Sequence, residues 1–184
     1  RMEHIIEHVR MFAREAGAPK VGPVQVNDVV ASALEMLSAQ FRSRGLAIIS
    51  DLGTDLPAIT ANPFSLEEVL INLLLNARDA LEGVAAQEGS VSISTCLSDG
   101  QSRRHVRIEV ADNGAGIQED QLERIFELFY TTKDPDKGTG LGLSVSKSIV
   151  EQFDGRIWME STPGEKTKVT IALPVAGEHD ETTN

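Results

Sequence analysis

Apolar residues recur along the chain with two periods, one typical of helices and the other of strands. Residues 1–16 carry an apolar stripe at helical spacing, formed by Met2, Ile5, Ile6, Val9, Phe12 and Ala13. Helices are also predicted over 27–44, 63–82, 119–126 and 141–153. Strands are predicted over 24–26, 46–51, 56–61, 91–96, 106–111, 157–160 and 169–173.

Polar and small residues mark where these elements begin and end. Asn27 and Asn62 stand where a helix N-cap is expected, and Pro63 follows at the first helical position. Gly45 and Gly83 are placed to end the first two helices of the globular part.

The order of these elements predicts an α+β fold. The strands lack the regular strand–helix alternation of a doubly wound sheet, so we expect a two-layer α/β sandwich: a mixed, mostly antiparallel sheet with helices on one face. Gly17, Pro19, Gly22 and Pro23 interrupt the periodicity. We therefore predict an N-terminal helix end and linker over 1–20, one domain over 21–175, and a polar, disordered tail over 176–184.

The composition narrows the classes of function. The chain has 184 residues, of which 28 are acidic and 17 basic, for a formal charge of −11. This charge disfavours non-specific binding to nucleic acid or anionic lipid. The single cysteine, Cys96, favours a reducing compartment. No apolar run approaches the about 18 residues of a membrane span. With no signal peptide and a start in mid-helix, the sequence is expected to be part of a longer protein.

Three polar residues follow one line of the otherwise apolar helix predicted over 63–82. Asn72, Asn76 and Asp79 are spaced i, i+4 and i+7. If the amides are buried, each needs several hydrogen-bond partners. Neighbouring loops could supply them. Alternatively, the amides line a polar site, where an amide oxygen can bind a hard cation such as Mg²⁺.

Two glycine-containing segments follow or precede predicted elements. Asp112-Asn113-Gly114-Ala115-Gly116-Ile117 comes directly after a strand, where its acid could accept hydrogen bonds from an exocyclic amine. An ordinary turn would have similar residues. Gly138-Thr139-Gly140-Leu141-Gly142-Leu143 directly precedes a helix, where bare N–H groups can face an anion. The second segment matches neither the dinucleotide-binding pattern nor the P-loop.

A fourth segment joins the two glycine segments. Phe126 and Phe129 are spaced i, i+3, which is more typical of core anchors than of ligand contacts. Lys133 could neutralise a phosphate or be an ordinary exposed lysine. Residues 130–140 have the composition of a mobile lid.

Taken in order, the four features resemble the ATP-binding catalytic domain of sensor histidine kinases, a group that shares its Bergerat-type fold with DNA gyrase, Hsp90 and MutL. The resemblance covers about residues 24–174. Asn72–Asn76 resembles the N box, Asp112–Gly116 the first glycine box, Phe126–Phe129 the F box and Gly138–Gly142 the second glycine box. Within this group, the nitrogen-regulator branch of sensor kinases is the one most resembled by residues 76–81 (NARDAL) and 129–133 (FYTTK). Residues 1–16 resemble the end of a dimerisation and phosphoacceptor helix.

The resemblance implies ATP and Mg²⁺ as ligands. It implies that Asn76 binds the metal, that Asn72 and Lys133 are catalytic, and that Asp112 binds the adenine amine. The positions it assigns to the nucleotide are Asn72, Asn76, Arg78, Asp79, Asp112, Gly114, Gly116, Ile117, Phe129, Thr132, Lys133, Gly138, Thr139, Gly140, Leu141, Gly142, Leu143 and Thr167.

The chain departs from the family pattern at several places. Leu128 stands where many members have proline, and the 164–167 segment lacks the second glycine of the usual third box. Asp79 and Ala80 replace a Lys-Tyr pair of other branches, which removes one phosphate contact. Neighbouring Arg78 is the candidate substitute.

The resemblance implies a kinase more than an ATPase. Hydrolytic relatives carry a glutamate one turn before the metal-binding asparagine, whereas this chain has Asn72, whose amide cannot take a proton at neutral pH. Glu68, a further turn back, leaves residual ATPase activity open. His4 and His8 lack the acidic neighbour of the family's acceptor histidine, so the acceptor is expected outside this sequence.

The implied function is transfer of the ATP γ-phosphoryl group to a histidine of the dimerisation domain, then to an aspartate of a response regulator. The implied full-length protein is a homodimer that binds no nucleic acid. This domain is expected in the cytoplasm, either in a soluble protein or as the cytoplasmic part of a membrane-anchored sensor. The alternatives are a nucleotide-responsive interaction module and a serine kinase of the anti-sigma type.

Overall fold

The computed structural model describes residues 20–84, 88–100, 103–132 and 138–178. Its helices are α1 (Val26–Ser43), α2 (Pro63–Ala80), α3 (Glu119–Leu122) and α4 (Gly142–Gln152). Its strands are β1 (Gly22–Val24), β2 (Ala47–Leu52), β3 (Ile59–Ala61), β4 (Ser90–Asp99), β5 (Arg104–Asp112), β6 (Arg156–Thr162) and β7 (Lys166–Pro174).

The strands confirm the predicted mixed, mostly antiparallel sheet. Within the described residues, five strands form the main sheet in the order β2-β4-β5-β7-β6, and β1 pairs with β3 in a smaller antiparallel ribbon. β2 and β4 are parallel, because the chain crosses the sheet through α2 between them. The other neighbours in the main sheet are antiparallel.

The core lies between the main sheet and the helices, as the predicted two-layer sandwich requires. Inward residues alternate along β5 and β7, and these are fully or almost fully buried: Val106, Ile108, Val110, Val169, Ile171 and Leu173. The same alternation ends on polar residues, with Asp112 at the end of β5 and Thr167 near the start of β7. These two buried residues are direct neighbours across the strands. One end of the apolar core is therefore polar.

The helix N-termini show one confirmed prediction and one wrong one. Asn62 caps α2, since its side-chain oxygen accepts hydrogen bonds from the N–H groups of Phe64 and Ser65 at 3.0 and 3.4 Å. Asn27 does not cap α1, which begins at Val26 after Gln25. Its amide instead donates to the Gly53 carbonyl and accepts from the Thr95 hydroxyl. The amide thus ties α1 to the sheet.

Asn62→Ala is expected to lower the free energy of unfolding by about 1 kcal/mol, because two N–H groups at the start of α2 lose their acceptor. Urea denaturation followed by circular dichroism measures the change. Gln25→Ala is the control, because Gln25 occupies the same cap position without a side-chain hydrogen bond. An equal loss in both variants would contradict the capping role.

Within the described residues, all but one of the element boundaries lie within three residues of the predicted ones, although two predicted elements are markedly shorter. The predicted helix over 119–126 is α-helical only over Glu119–Leu122, and the predicted strand over 56–61 is reduced to Ile59–Ala61. The stripe of 1–16, His4, His8 and the end of the predicted tail, 179–184, lie outside the described residues. The division at residues 20 and 175 stays a prediction. In the part of the chain that is described, no helix is long and apolar enough to cross a membrane.

Candidate functional site

Asn72 on α2 faces the start of α4. Its side-chain Nδ2 donates a hydrogen bond to the Ser146 hydroxyl at 2.9 Å. Gly142, the first residue of α4, lies so close that a Cβ there would be 2.3 Å from Asn72 Oδ1. A side chain at position 142 would therefore displace the Asn72 amide from its present position. Sequence reasoning missed Ser146, although it lies one turn after Gly142.

Asp112 forms the polar end of the core. The residue is only 7% exposed. Among the described residues, its carboxylate accepts one backbone hydrogen bond, from the Gly114 N–H at 3.0 Å. Burial raises the pKa of the Asp112 carboxyl from its ordinary value of 3.8 to about 6, against the smaller lowering effect of that hydrogen bond. A buried acid with so few partners is suited to accept hydrogen bonds from a ligand.

Asp112→Asn is expected to stabilise the ligand-free protein at pH 8 by about 2 kcal/mol, because burying an amide costs less than burying the charge. Since the folded-state pKa is raised, the native state binds more protons than the unfolded state between about pH 4 and 6. Wild-type stability relative to the variant therefore falls as the pH rises through this range.

Urea denaturation of both proteins at pH 4, 5, 6, 7 and 8 measures this difference. The difference between the two proteins should shrink steadily from pH 8 toward pH 4, and the effects of all other carboxylates cancel in the comparison. A difference that does not change with pH would contradict the burial of a charged Asp112.

The loop after Asp112 is held on both sides by backbone hydrogen bonds. The Ala115 N–H donates to the Ala80 carbonyl at the end of α2, and the Gly164 N–H donates to the Ala115 carbonyl at 2.7 Å. Gly116 adopts φ +66°, and a Cβ there would lie 2.2 Å from the Thr162 carbonyl oxygen. Only glycine fits this position without moving the backbone.

The loop is also bound to the late strands. The Ile117 N–H donates to the Ser161 hydroxyl at 2.9 Å, and Ser161 Oγ lies 3.0 Å from Thr167 Oγ1. Thr167 is itself opposite Asp112 across β5 and β7. The structure thus brings Asp112, Ile117 and Thr167 close together. Ser161 was not anticipated, because its role depends on strand register.

The segment around Phe129 meets the Gly138–Gly142 segment. The Phe129 N–H donates to the Gly140 carbonyl at 2.9 Å, and Phe129 has the unusual φ of +66° for a bulky residue. Phe129 is 73% exposed and Phe126 is half-buried, so the expectation of two core anchors is wrong. Ile125 is the buried residue of this segment instead.

The remaining positions of this region are placed as follows. Thr132 is exposed, and Lys133 lies outside the described residues. The Leu141 N–H points to Thr139 Oγ1 at 3.4 Å, and Leu143 packs against the core. Gly138 is half-buried.

Arg78 is not brought to the Asn72 side of α2. Its guanidinium donates to the Asp79 carboxylate at 2.6 Å and to Gln40 of α1 at 2.8 Å, and it lines a groove with Arg44 and Leu46. Asn72 lines a different groove, between α2 and α4. Because Arg78 lies six residues after Asn72, its side chain is on a different face of α2.

Asn76 lies one turn after Asn72 on α2 and is half-buried. In the described ranges, no three His, Cys, Asp or Glu side chains come together as a metal centre.

The site combines the amide-bearing helix α2, the glycine segment at the start of α4 and a buried acid at the polar end of the core. This combination defines a nucleotide-binding sandwich domain. Residues 61–177 match the family model described as "Histidine kinase-, DNA gyrase B-, and HSP90-like ATPase". The chain belongs to this family, and its resemblance to the catalytic domain of sensor histidine kinases is confirmed.

Individual relatives agree with this assignment. Sensor histidine kinase ZraS of Klebsiella oxytoca is 36% identical over 183 residues, which cover 98% of this chain and 37% of that protein. The solved catalytic domain of histidine kinase ThkA is 26% identical with a TM-score of 0.71, covering 85% of this chain and 96% of that one. Full-length ShkA, solved with AMPPNP, is 27% identical with a TM-score of 0.69, covering 90% and 34%.

The chain spans only about a fifth to two fifths of the first curated relatives that it matches. Its similarity to these proteins is therefore a similarity to one part of each. The nitrogen-regulator branch stays a prediction.

Proposed function

We propose that this chain binds ATP with Mg²⁺ and, within its parent protein, transfers the γ-phosphoryl group to a histidine side chain. The observation that carries the proposal is the seating of Gly142 against Asn72, with Asp112 buried at the polar end of the core. Together they offer a phosphate-binding helix start and a base-binding acid on one domain.

The residues fit a purine nucleotide. Asp112 accepts hydrogen bonds from an exocyclic amine, while Gly114, Gly116 and Ile117 form the loop beside it. The segment of Gly138, Thr139, Gly140, Leu141, Gly142 and Leu143 directs N–H groups to phosphates at the start of α4, a helix of 11 residues. The resemblance adds Phe129, Thr132 and Lys133 as further contacts.

The metal position follows from the chemistry of α2. Asn76 offers an amide oxygen one turn from Asn72, and Asp79 lies a further turn along the same helix. When bound, Mg²⁺ would supply positive charge to the phosphates. Arg78 is engaged with Asp79 and Gln40, so a phosphate contact by Arg78 would require that ion pair to open.

Asn72 favours transfer to a side chain over hydrolysis. Its Nδ2 donates to Ser146, and an amide cannot remove a proton from water. A neutral imidazole needs no such base: its nitrogen forms the new P–N bond while the bond from phosphorus to the ADP oxygen breaks. Glu68 lines the same groove as Asn72, so slow hydrolysis is measured alongside transfer.

The partners follow from the class of protein. We propose that the acceptor histidine lies on the dimerisation and phosphoacceptor domain of the same kinase, and that an aspartate of a response regulator receiver domain accepts the group from it. The parent protein would be a homodimer that binds no nucleic acid, and this domain would lie in the cytoplasm whether or not the parent protein is anchored in a membrane. The relatives' description as sensor histidine kinases supports this reaction sequence.

The test incubates the chain with γ-labelled ATP, Mg²⁺ and the separately purified dimerisation domain of the parent protein. We expect an acid-labile, base-stable phosphoprotein that loses its label when the domain's histidine is replaced by alanine. Acid-stable label would indicate a serine kinase. ATP binding without label transfer would indicate a nucleotide-responsive module, and release of free phosphate alone an ATPase.

A further inference from the structure

Three polar side chains form a row across neighbouring strands at the polar end of the core. Asp112 on β5 is directly opposite Thr167 on β7, and Thr167 is directly opposite Ser161 on β6. Directly opposed side chains on an antiparallel pair lie about 5 Å apart at Cβ. Thr167 is 6% exposed, so the direction of its hydroxyl proton is set by protein contacts.

The hydrogen bonds of Ser161 determine that direction. Its oxygen accepts from the Ile117 N–H at 2.9 Å, and its only proton must lie toward the Lys166 carbonyl oxygen at 2.8 Å, since a carbonyl cannot donate. The remaining contact, with Thr167 Oγ1 at 3.0 Å, then requires Thr167 to be the donor. This is the assignment that satisfies all three contacts.

We infer that Ser161 is a positioning residue for base selection, which holds the Thr167 proton so that Thr167 presents only lone pairs to the purine. The inference rests on the proposed nucleotide site and adds its basis of specificity. Ser161 acts through Thr167 and need not touch the base itself.

Two acceptors side by side select the substituent at purine position 6. Asp112 and Thr167 both accept, which matches the two protons of a 6-amino group. A 6-oxo group would bring its own lone pairs against Thr167, and a site built for a donor rejects an analogue that lacks it. Without Ser161, the Thr167 hydroxyl is free to rotate and donate to a 6-oxo group.

The test measures binding of Mg-ADP and Mg-IDP by calorimetry at pH 8, where Asp112 is ionised. ADP has a 6-amino group and no proton at N1, whereas IDP has a 6-oxo group and a proton at N1. We expect wild type to prefer ADP, and Ser161→Ala to reduce the ratio Kd(IDP)/Kd(ADP) about fivefold. Ser161→Thr, which keeps a hydroxyl, should retain the wild-type ratio and excludes a purely structural effect.

Two further variants make the result specific. In a Thr167→Val background, Ser161→Ala should leave the ratio unchanged, because the hydroxyl it orients is gone. Ser98→Ala removes a serine–carbonyl hydrogen bond at the opposite end of the sheet and should not change the ratio. An unchanged ratio in Ser161→Ala, or an equal change in the Thr167→Val background, would overturn the inference alone. Failure of wild type to bind either nucleotide would overturn the proposed function with it.

Discussion

Asp112→Asn is expected to weaken Mg-ADP binding about 100-fold, which is the upper range for losing a hydrogen bond to a charged acceptor. The asparagine has the same shape but carries no charge, and it presents an N–H₂ group that competes with the base's amine for the same space. Isothermal titration calorimetry at pH 8 measures the loss. The same substitution should stabilise the ligand-free fold, because it removes a buried charge.

The combination of weaker binding and higher stability separates a binding defect from unfolding. Asp99→Asn is the matched control, since Asp99 is exposed at the far end of β4. It should change neither the affinity nor the stability. Unchanged ADP affinity in Asp112→Asn would show that the purine does not occupy this pocket.

Gly116→Ala is expected to lower the free energy of unfolding by about 3 kcal/mol, from left-handed strain plus displacement of neighbouring backbone. The added Cβ would meet the Thr162 carbonyl, which belongs to β6 and cannot rotate away. Nucleotide affinity should fall with it, because the loop carries the Ile117 N–H that binds Ser161. Urea denaturation at neutral pH gives the stability change.

Gly164→Ala provides a control with the same kind of strain but no clash. Gly164 has φ +77°, and nothing lies within 4 Å of the Cβ position. We expect a loss of about 1 kcal/mol from the strained conformation alone. If both alanine variants lose the same stability, the contact with Thr162 does not determine the tolerance at position 116.

Local rules predicted much of the fold because most elements follow strong patterns. Asn62 and Pro63 identified the start of α2, and the alternation of Val106, Ile108 and Val110 identified β5 and its buried face. The prediction that Asn27 caps α1 was wrong, because a cap residue and a residue just inside a helix cannot be distinguished by their sequence alone. What distinguishes them is the contact with Gly53 and Thr95, which are far away along the chain.

The candidate site could be recognised in the sequence where one short segment carries the signal. The glycines and Asp112 could be recognised from their order, and the structure places them beside α2 and α4. Ser146 and Ser161 could not be recognised, because a serine acquires such a role only from the helix packing or strand register that puts a partner opposite it. The contact of Arg78 with Gln40 could not be recognised for the same reason, because the sequence shows the helix face of Arg78 but not its partner on α1.

The hydrogen bond between the Phe129 N–H and the Gly140 carbonyl joins two points of the chain that are ten intervening residues apart. The segment between Phe129 and Gly140 therefore begins and ends at fixed positions in the domain. Doubling its length would cost only about 0.6 kcal/mol in closure entropy. Insertions or deletions can therefore change the length of this segment while Phe129 and Gly140 keep their positions.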